Sequence, residues 1–154
     1  MDKAMFAAGC FWGIEKDFSE LKGVIKTEVG YAQGNTKNPS YEDVCRGDTN
    51  HAEVVLLEFD PSLISYESLV NKFYEIHDPT TLNQQGPDRG TQYRSIIIYY
   101  NENQKQVANS ITNELNKKKF QDSITTTIEL IDYYQKAEDY HQQYLKNKYS
   151  FLNI

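Results

Sequence analysis

The sequence predicts an α+β fold: a two-layer sandwich in which helices cover one side of a mixed sheet, around a ferredoxin-like βαββαβ core. Three observations predict it. Apolar and polar residues alternate over 25–31 and 51–59, which suits half-buried strands. Apolar residues recur at helical spacing at Ile14, Phe18 and Leu21, and again at Leu69, Val70, Phe73 and Ile76. The elements run strand, helix, strand, strand, helix, strand, helix, strand, helix, and the first six form a split βαββαβ unit.

Each element has a local reason. Lys3 to Gly9 is a short strand. Residues 11–21 form a helix that Gly23 stops. In the strand 25–31, Ile25, Thr27, Val29 and Tyr31 share a face. Residues 33–50 hold Gly, Asn, Pro, Ser and Asp and read as an irregular loop with a helical turn at 41–45. In the strand 51–59, Glu53, Val55, Leu57 and Phe59 face one way, Val54 and Leu56 the other, and Pro61 ends it. Ser65 caps a helix over 66–77. A second turn-rich loop spans 78–93, and the near-continuous apolar run from Arg94 to Tyr100 is a central strand. A helix follows over 103–119, its Lys117-Lys118-Lys119 end suited to the negative pole of the helix dipole. Residues 124–131 are a last strand, and Ala137, Tyr140, Tyr144 and Leu145 suggest a C-terminal helix.

Composition narrows the function. The 154 residues are expected to form a single domain over 1–154 with a core of its own, as a monomer. A net charge of −6 argues against a nucleic-acid partner. No apolar run is long enough for a bilayer, and Met1-Asp2-Lys3-Ala4 lacks the apolar core of a signal peptide. Two cysteines without such a signal point to a reducing, cytoplasmic setting in which a reactive thiol is permitted.

Gly9-Cys10-Phe11-Trp12-Gly13 places a thiol between glycine and two aromatics, at the point where the first strand gives way to the first helix. Helix N–H groups and the positive dipole end favour a thiolate there, although buried, inert cysteines are also common. Glu53 shares its face with apolar residues, where desolvation raises a carboxyl's pKa; a strand-end glutamate in solvent is the other reading. Tyr41, Tyr93 and Asp88 fall in the two loops, where site residues concentrate but surface residues abound. His51, His77 and His141 lie too far apart for metal-ligand spacing, so no metal is expected. A cysteine hydrolase using Cys10, His51 and Asp88 is an alternative reading, without a local signature to support it.

Together the motifs resemble the peptide methionine sulfoxide reductase A family over nearly the whole chain. The resemblance rests on Gly9-Cys10-Phe11-Trp12-Gly13, Gly30-Tyr31-Ala32, Asn38-Pro39-Ser40-Tyr41, Val44-Cys45, Gly47-Asp48-Thr49 and His51-Ala52-Glu53. It continues through His77-Asp78-Pro79, the run from Asp88 to Ser95, and the run from Ala137 to Leu145. It implies reduction of the S epimer of free or peptidyl methionine sulfoxide, and so repair of oxidised proteins. By the same resemblance Cys10 is the nucleophile and Glu53 the acid. Tyr41 and Tyr93 bind the sulfoxide oxygen, Phe11 and Trp12 hold the S-methyl group, and Asp88 orients the substrate.

Many family members carry recycling cysteines in a Gly-rich C-terminal tail, whereas this sequence has no cysteine after Cys45. No bound cofactor is expected. An external thiol, from glutaredoxin, glutathione or thioredoxin, is expected to restore Cys10, with Cys45 as the alternative resolving residue. The rival functions are a one-cysteine peroxidase or general thiol oxidoreductase, which leaves the tyrosines unexplained, and a non-catalytic peptide-binding module.

Overall fold

The computed structural model describes the backbone of residues 1–152 and the side chains up to Lys148; Asn153 and Ile154 lie outside the described residues. Its elements are β1 (Asp2–Ala8), α1 (Phe11–Ser19), β2 (Val24–Ala32), α2 (Tyr41–Cys45), β3 (Ala52–Phe59) and α3 (Tyr66–Glu75). A two-residue hairpin of β4 (Gln84–Gln85) and β5 (Asp88–Arg89) precedes β6 (Ser95–Tyr99) and α4 (Glu102–Leu115). Then come β7 (Thr127–Leu130), β8 (Tyr134–Lys136) and α5 (Tyr144–Leu152).

The main sheet has the order β7-β6-β1-β3-β2-β8. Its inner four strands, β6-β1-β3-β2, are antiparallel and have the spatial order of the ferredoxin-like unit. The parallel pair β6–β7 makes the sheet mixed. The expected α+β class therefore holds.

The alternation in β3 has the predicted consequence. Val55, Leu57 and Phe59 join one core with Phe18 of α1, Phe73 of α3 and Ala108 of α4, so these helices lie on that face. Val54 turns to a smaller cluster on the opposite face, with Met5, Ile96 and Ile98. Polar caps set the helix starts: Ser40 accepts from Asp43 N, Ser65 from Ser68 N and Asn101 from Gln104 N.

The C-terminal expectation needs correction. Residues 134–136 form a short edge strand on β2, residues 139–141 a single 3₁₀ turn, and the helix begins at Tyr144. Ala137, Tyr140, Tyr144 and Leu145 therefore do not share one helix. Ala137 N donates to Val29 O, which extends the strand, and Gln143 at φ 53° breaks the backbone before Tyr144. Gln142 completes the docking, accepting from Val29 N and donating to Val29 O.

Candidate active site

Gly9 takes φ 99°, a turn that a side chain would strain and that leads β1 directly into α1. Cys10 is consequently the N-cap of α1, half-buried and free. The N–H groups of Trp12 and Gly13 reach its thiol and favour the thiolate, as the sequence suggests. Burial outweighs them. Desolvation first, then the negative charges of Glu53 and Asp88, push the Cys10 thiol up to about 11, so the resting group is a neutral thiol despite the helix start that favours a thiolate.

Glu53 lies on the helix-facing side of β3 and is 1% exposed. Its Oε1 accepts from Phe11 N at 3.2 Å, and its Oε2 is buried with no hydrogen-bond partner among the described residues. Burial, opposed by the Phe11 bond and reinforced by Asp88, raises its pKa to about 8. The carboxyl is therefore protonated at neutral pH.

The two loops bring in the phenols. Tyr41 opens α2, and its hydroxyl meets the Cys45 thiol one helical turn on. Burial first, then Cys45 and Glu53, raise its pKa. Tyr93, in the 3₁₀ turn after β5, is pushed up to about 12 by burial and by the charges of Glu53, Cys45, Asp88 and Cys10. Asp88 sits in the small hairpin, where its charge acts on Cys10, Glu53 and Tyr93 alike. Four residues predicted from separate segments, Tyr41, Glu53, Asp88 and Tyr93, thus gather on the side of the Cys10 thiol.

Phe11 and Trp12 belong to an aromatic cluster larger than the sequence displays. Phe11 is buried, with Trp12 at 6.4 Å and Tyr41 at 6.4 Å between ring centroids. Trp12 stacks on Tyr144 at 4.0 Å and 15°, and its indole N–H donates to His141 Nδ1 at 3.0 Å. Glu138 clamps the phenolic side: its Oε1 accepts from Tyr31 Oη at 2.8 Å and its Oε2 from Tyr41 N at 3.0 Å.

Glu138, His141, Tyr144 and Tyr31 are the contributors to which sequence reasoning assigns no role. Their only signal was membership of runs used for the resemblance.

The hydrolase triad does not form. His51 Nδ1 accepts from Gly34 N and its Nε2 meets Thr36 O, so both ring nitrogens are spent on holding the 33–50 loop. His77 is likewise engaged, by Phe73 O and Ser95 Oγ. Among the described residues, no three His, Cys, Asp or Glu side chains gather as a metal would require, and no helix is long and apolar enough to cross a membrane.

The chain matches the family of peptide methionine sulfoxide reductases over residues 2–153. It is 53% identical over 148 residues to peptide methionine sulfoxide reductase MsrA of Pelagibacter ubique, an alignment covering 96% of this chain and 100% of that protein. Among solved structures, methionine sulfoxide reductase A of Corynebacterium diphtheriae aligns with a TM-score of 0.89 at 41% identity, over 95% of this chain and 74% of that one. Mxr1 from Saccharomyces cerevisiae in reduced form aligns equally well, at 0.89 and 38% identity over 95% and 84% of the two chains. The same yeast protein in complex with Trx2 aligns at 0.66 and 25% identity, over 93% and 84%. Similarity of this degree from one end of the fold to the other places the chain in the peptide methionine sulfoxide reductase A family, enzymes that return methionine sulfoxide to methionine.

Proposed function

We propose that Cys10 is the nucleophile of this reductase and Glu53 its proton donor. The observation that carries the reading is the buried Oε2, without a partner among the described residues, of a carboxyl that keeps its proton at neutral pH beside a thiol. A sulfoxide sulfur resists attack because its oxygen leaves poorly. A hydrogen bond and then a proton from Glu53, with Tyr93 as a further donor and Tyr41 as another once its hydroxyl turns from Cys45 to the substrate, would make that sulfur electrophilic. The positive charge developing on it would in turn lower the cost of ionising Cys10, which burial otherwise opposes.

In the proposed step the Cys10 sulfur attacks the sulfur of the protonated sulfoxide and forms an S–S bond. The hydroxyl then passes to Cys10: the S–O bond to methionine and the S–S bond break as the S–O bond to Cys10 forms, leaving a sulfenic acid and free methionine, and the thiol proton replaces the one Glu53 gave. Cys10 is oxidised by two electrons and the methionine sulfur is reduced by two. Phe11 and Trp12 receive the methyl group, Asp88 orients the substrate, and the fixed placing of the donors to the sulfoxide oxygen relative to that wall selects the S epimer.

An external thiol then attacks the sulfenic acid, releasing water and leaving a mixed disulfide that a second thiol reduces. The Cys45 thiol is engaged by Tyr41, which supports an outside reductant over internal resolution. Thioredoxin, glutaredoxin and glutathione are the candidate donors, and a thioredoxin-type partner has the precedent of the yeast complex. This chemistry fits a reducing cytoplasm.

The test is single-turnover reduction of both epimers of a methionine sulfoxide peptide, followed by mass analysis of Cys10. One methionine and one Cys10 sulfenic acid per enzyme, from the S epimer alone, is the expected result. Activity surviving Cys10→Ser would end the proposal, and a Cys10–Cys45 disulfide formed at the turnover rate would end its external-thiol part.

A further inference from the structure

His141 is 1% exposed, and its Nδ1 accepts the Trp12 indole N–H at 3.0 Å. An indole nitrogen only donates, so Nδ1 must be the unprotonated nitrogen of the ring. The proton of the neutral imidazole therefore sits on Nε2, which is buried without a partner among the described residues. An imidazolium would have no lone pair left for Trp12. Leaving a buried N–H unsatisfied is unfavourable, and an apolar residue packed among Phe11, Tyr41 and Tyr140 would avoid it. What an apolar residue could not do is hold the indole by its N–H.

That hold is directional. The Trp12 ring is stacked on Tyr144 at 15°, a contact that fixes its plane but still permits sliding within the plane. The hydrogen bond to His141 removes that freedom. Together the two contacts pin the indole from the C-terminal segment, 129 residues away in sequence for His141.

We propose that His141 is a positioning residue that sets substrate specificity: by holding the Trp12 indole it fixes the size of the site for the group on the sulfoxide sulfur. The inference rests on the reading of Trp12 as the methyl wall. Fixed, the wall admits a methyl group and rejects an ethyl group. One methylene in an apolar pocket is worth about 10–200-fold in discrimination, and a wall free to slide loses much of it.

The experiment compares methionine sulfoxide with ethionine sulfoxide, as the ratio of their kcat/KM values. His141→Leu should lower the methyl preference about 10-fold, mainly through KM. His141→Asn, which offers an oxygen near the Nδ1 position, should restore most of it. Trp12 is the sole tryptophan, so its fluorescence reports the same event: a red shift in His141→Leu, absent in His141→Asn. In Trp12→Phe, which has no N–H, His141→Leu should change nothing further.

A ratio within twofold of the unmodified protein in a folded His141→Leu variant overturns the proposal, as does His141→Asn behaving like His141→Leu. If His141→Leu does not fold, the single indole ¹H–¹⁵N resonance of the unmodified protein decides. A downfield, slowly exchanging signal supports the hold, and rapid solvent exchange refutes it. Trp12→Ala separates the two layers. Lost methyl preference there with none lost in His141→Leu sinks only the role of His141; an unchanged ratio in Trp12→Ala sinks the wall reading and this proposal with it.

Discussion

Glu53 Oε1 accepts the backbone N–H of Phe11, the residue that follows Cys10. One bond thus ties the carboxyl on β3 to the helix start that presents the thiol. It occupies one carboxyl oxygen and leaves the other for a substrate.

Removing the proton should therefore slow chemistry without displacing the thiol. Glu53→Gln keeps an oxygen for Phe11 N and is expected to slow sulfenic acid formation by about 10²–10⁴-fold with substrate binding retained. In the unmodified protein the single-turnover rate should fall as pH rises through about 8, where Glu53 loses its proton. That alkaline limb should vanish in Glu53→Gln. Stopped-flow rates across pH 6–10 check both.

The same group makes stability pH-dependent. Its folded-state pKa, about 8, lies above the ordinary carboxyl value, so the folded protein holds this proton where the unfolded chain does not. The sign is fixed: the contribution is complete at acid pH below the unfolded value and is lost as pH rises through about 8. At pH 9 Glu53→Gln should be the more stable protein, with Tm higher by about 2–8 °C. Thermal melts that show no gain at pH 9 over pH 6 would contradict the burial argument.

Glu138 holds Tyr41 by its backbone and Tyr31 by its hydroxyl. Glu138→Ala frees the first residue of α2 and leaves a buried phenol unpaired. We expect a loss of about 1–3 kcal/mol of stability and at least a 10-fold drop in kcat. Urea titration with steady-state assays measures both. Full activity would show that Tyr41 keeps its place without the clamp.

Gly34 packs directly against the His51 ring, and a Cβ there would overlap it. Gly34→Ala should push His51 off Gly34 N and Thr36 O, loosening the loop that delivers Tyr41, at about 1–3 kcal/mol. Differential scanning calorimetry reads the loss. An unchanged Tm would mean that the loop adapts without His51.

The regular elements are legible because burial on one face writes a period into the chain. Glu53, Val55, Leu57 and Phe59 show this, and the strand they belong to lies where expected. Tyr134–Lys136 is too short to carry a period, and the C-terminal run misleads because Ala137, Tyr140, Tyr144 and Leu145 mimic helical spacing. Its real organisation depends on Val29, distant in sequence. Site chemistry divides in the same way. A helix start beside Cys10 is visible locally, whereas the desolvation that overrides its field comes from neighbours the sequence does not display as such. For Glu53 the strand pattern allows both a desolvated carboxyl and a strand-end glutamate in solvent, and its burial decides for the first.

The bond between Trp12 and His141 also orders events in time. A ribosome makes Cys10 long before His141, and closing so long a loop is slow to be rewarded. Until the segment from Tyr134 to Gln143 docks, β2 has an open edge, Tyr41 lacks its carboxylate and the indole is unheld. A nascent chain, or one clipped before Tyr134, would therefore carry the thiol while its aromatic surroundings are still unfinished.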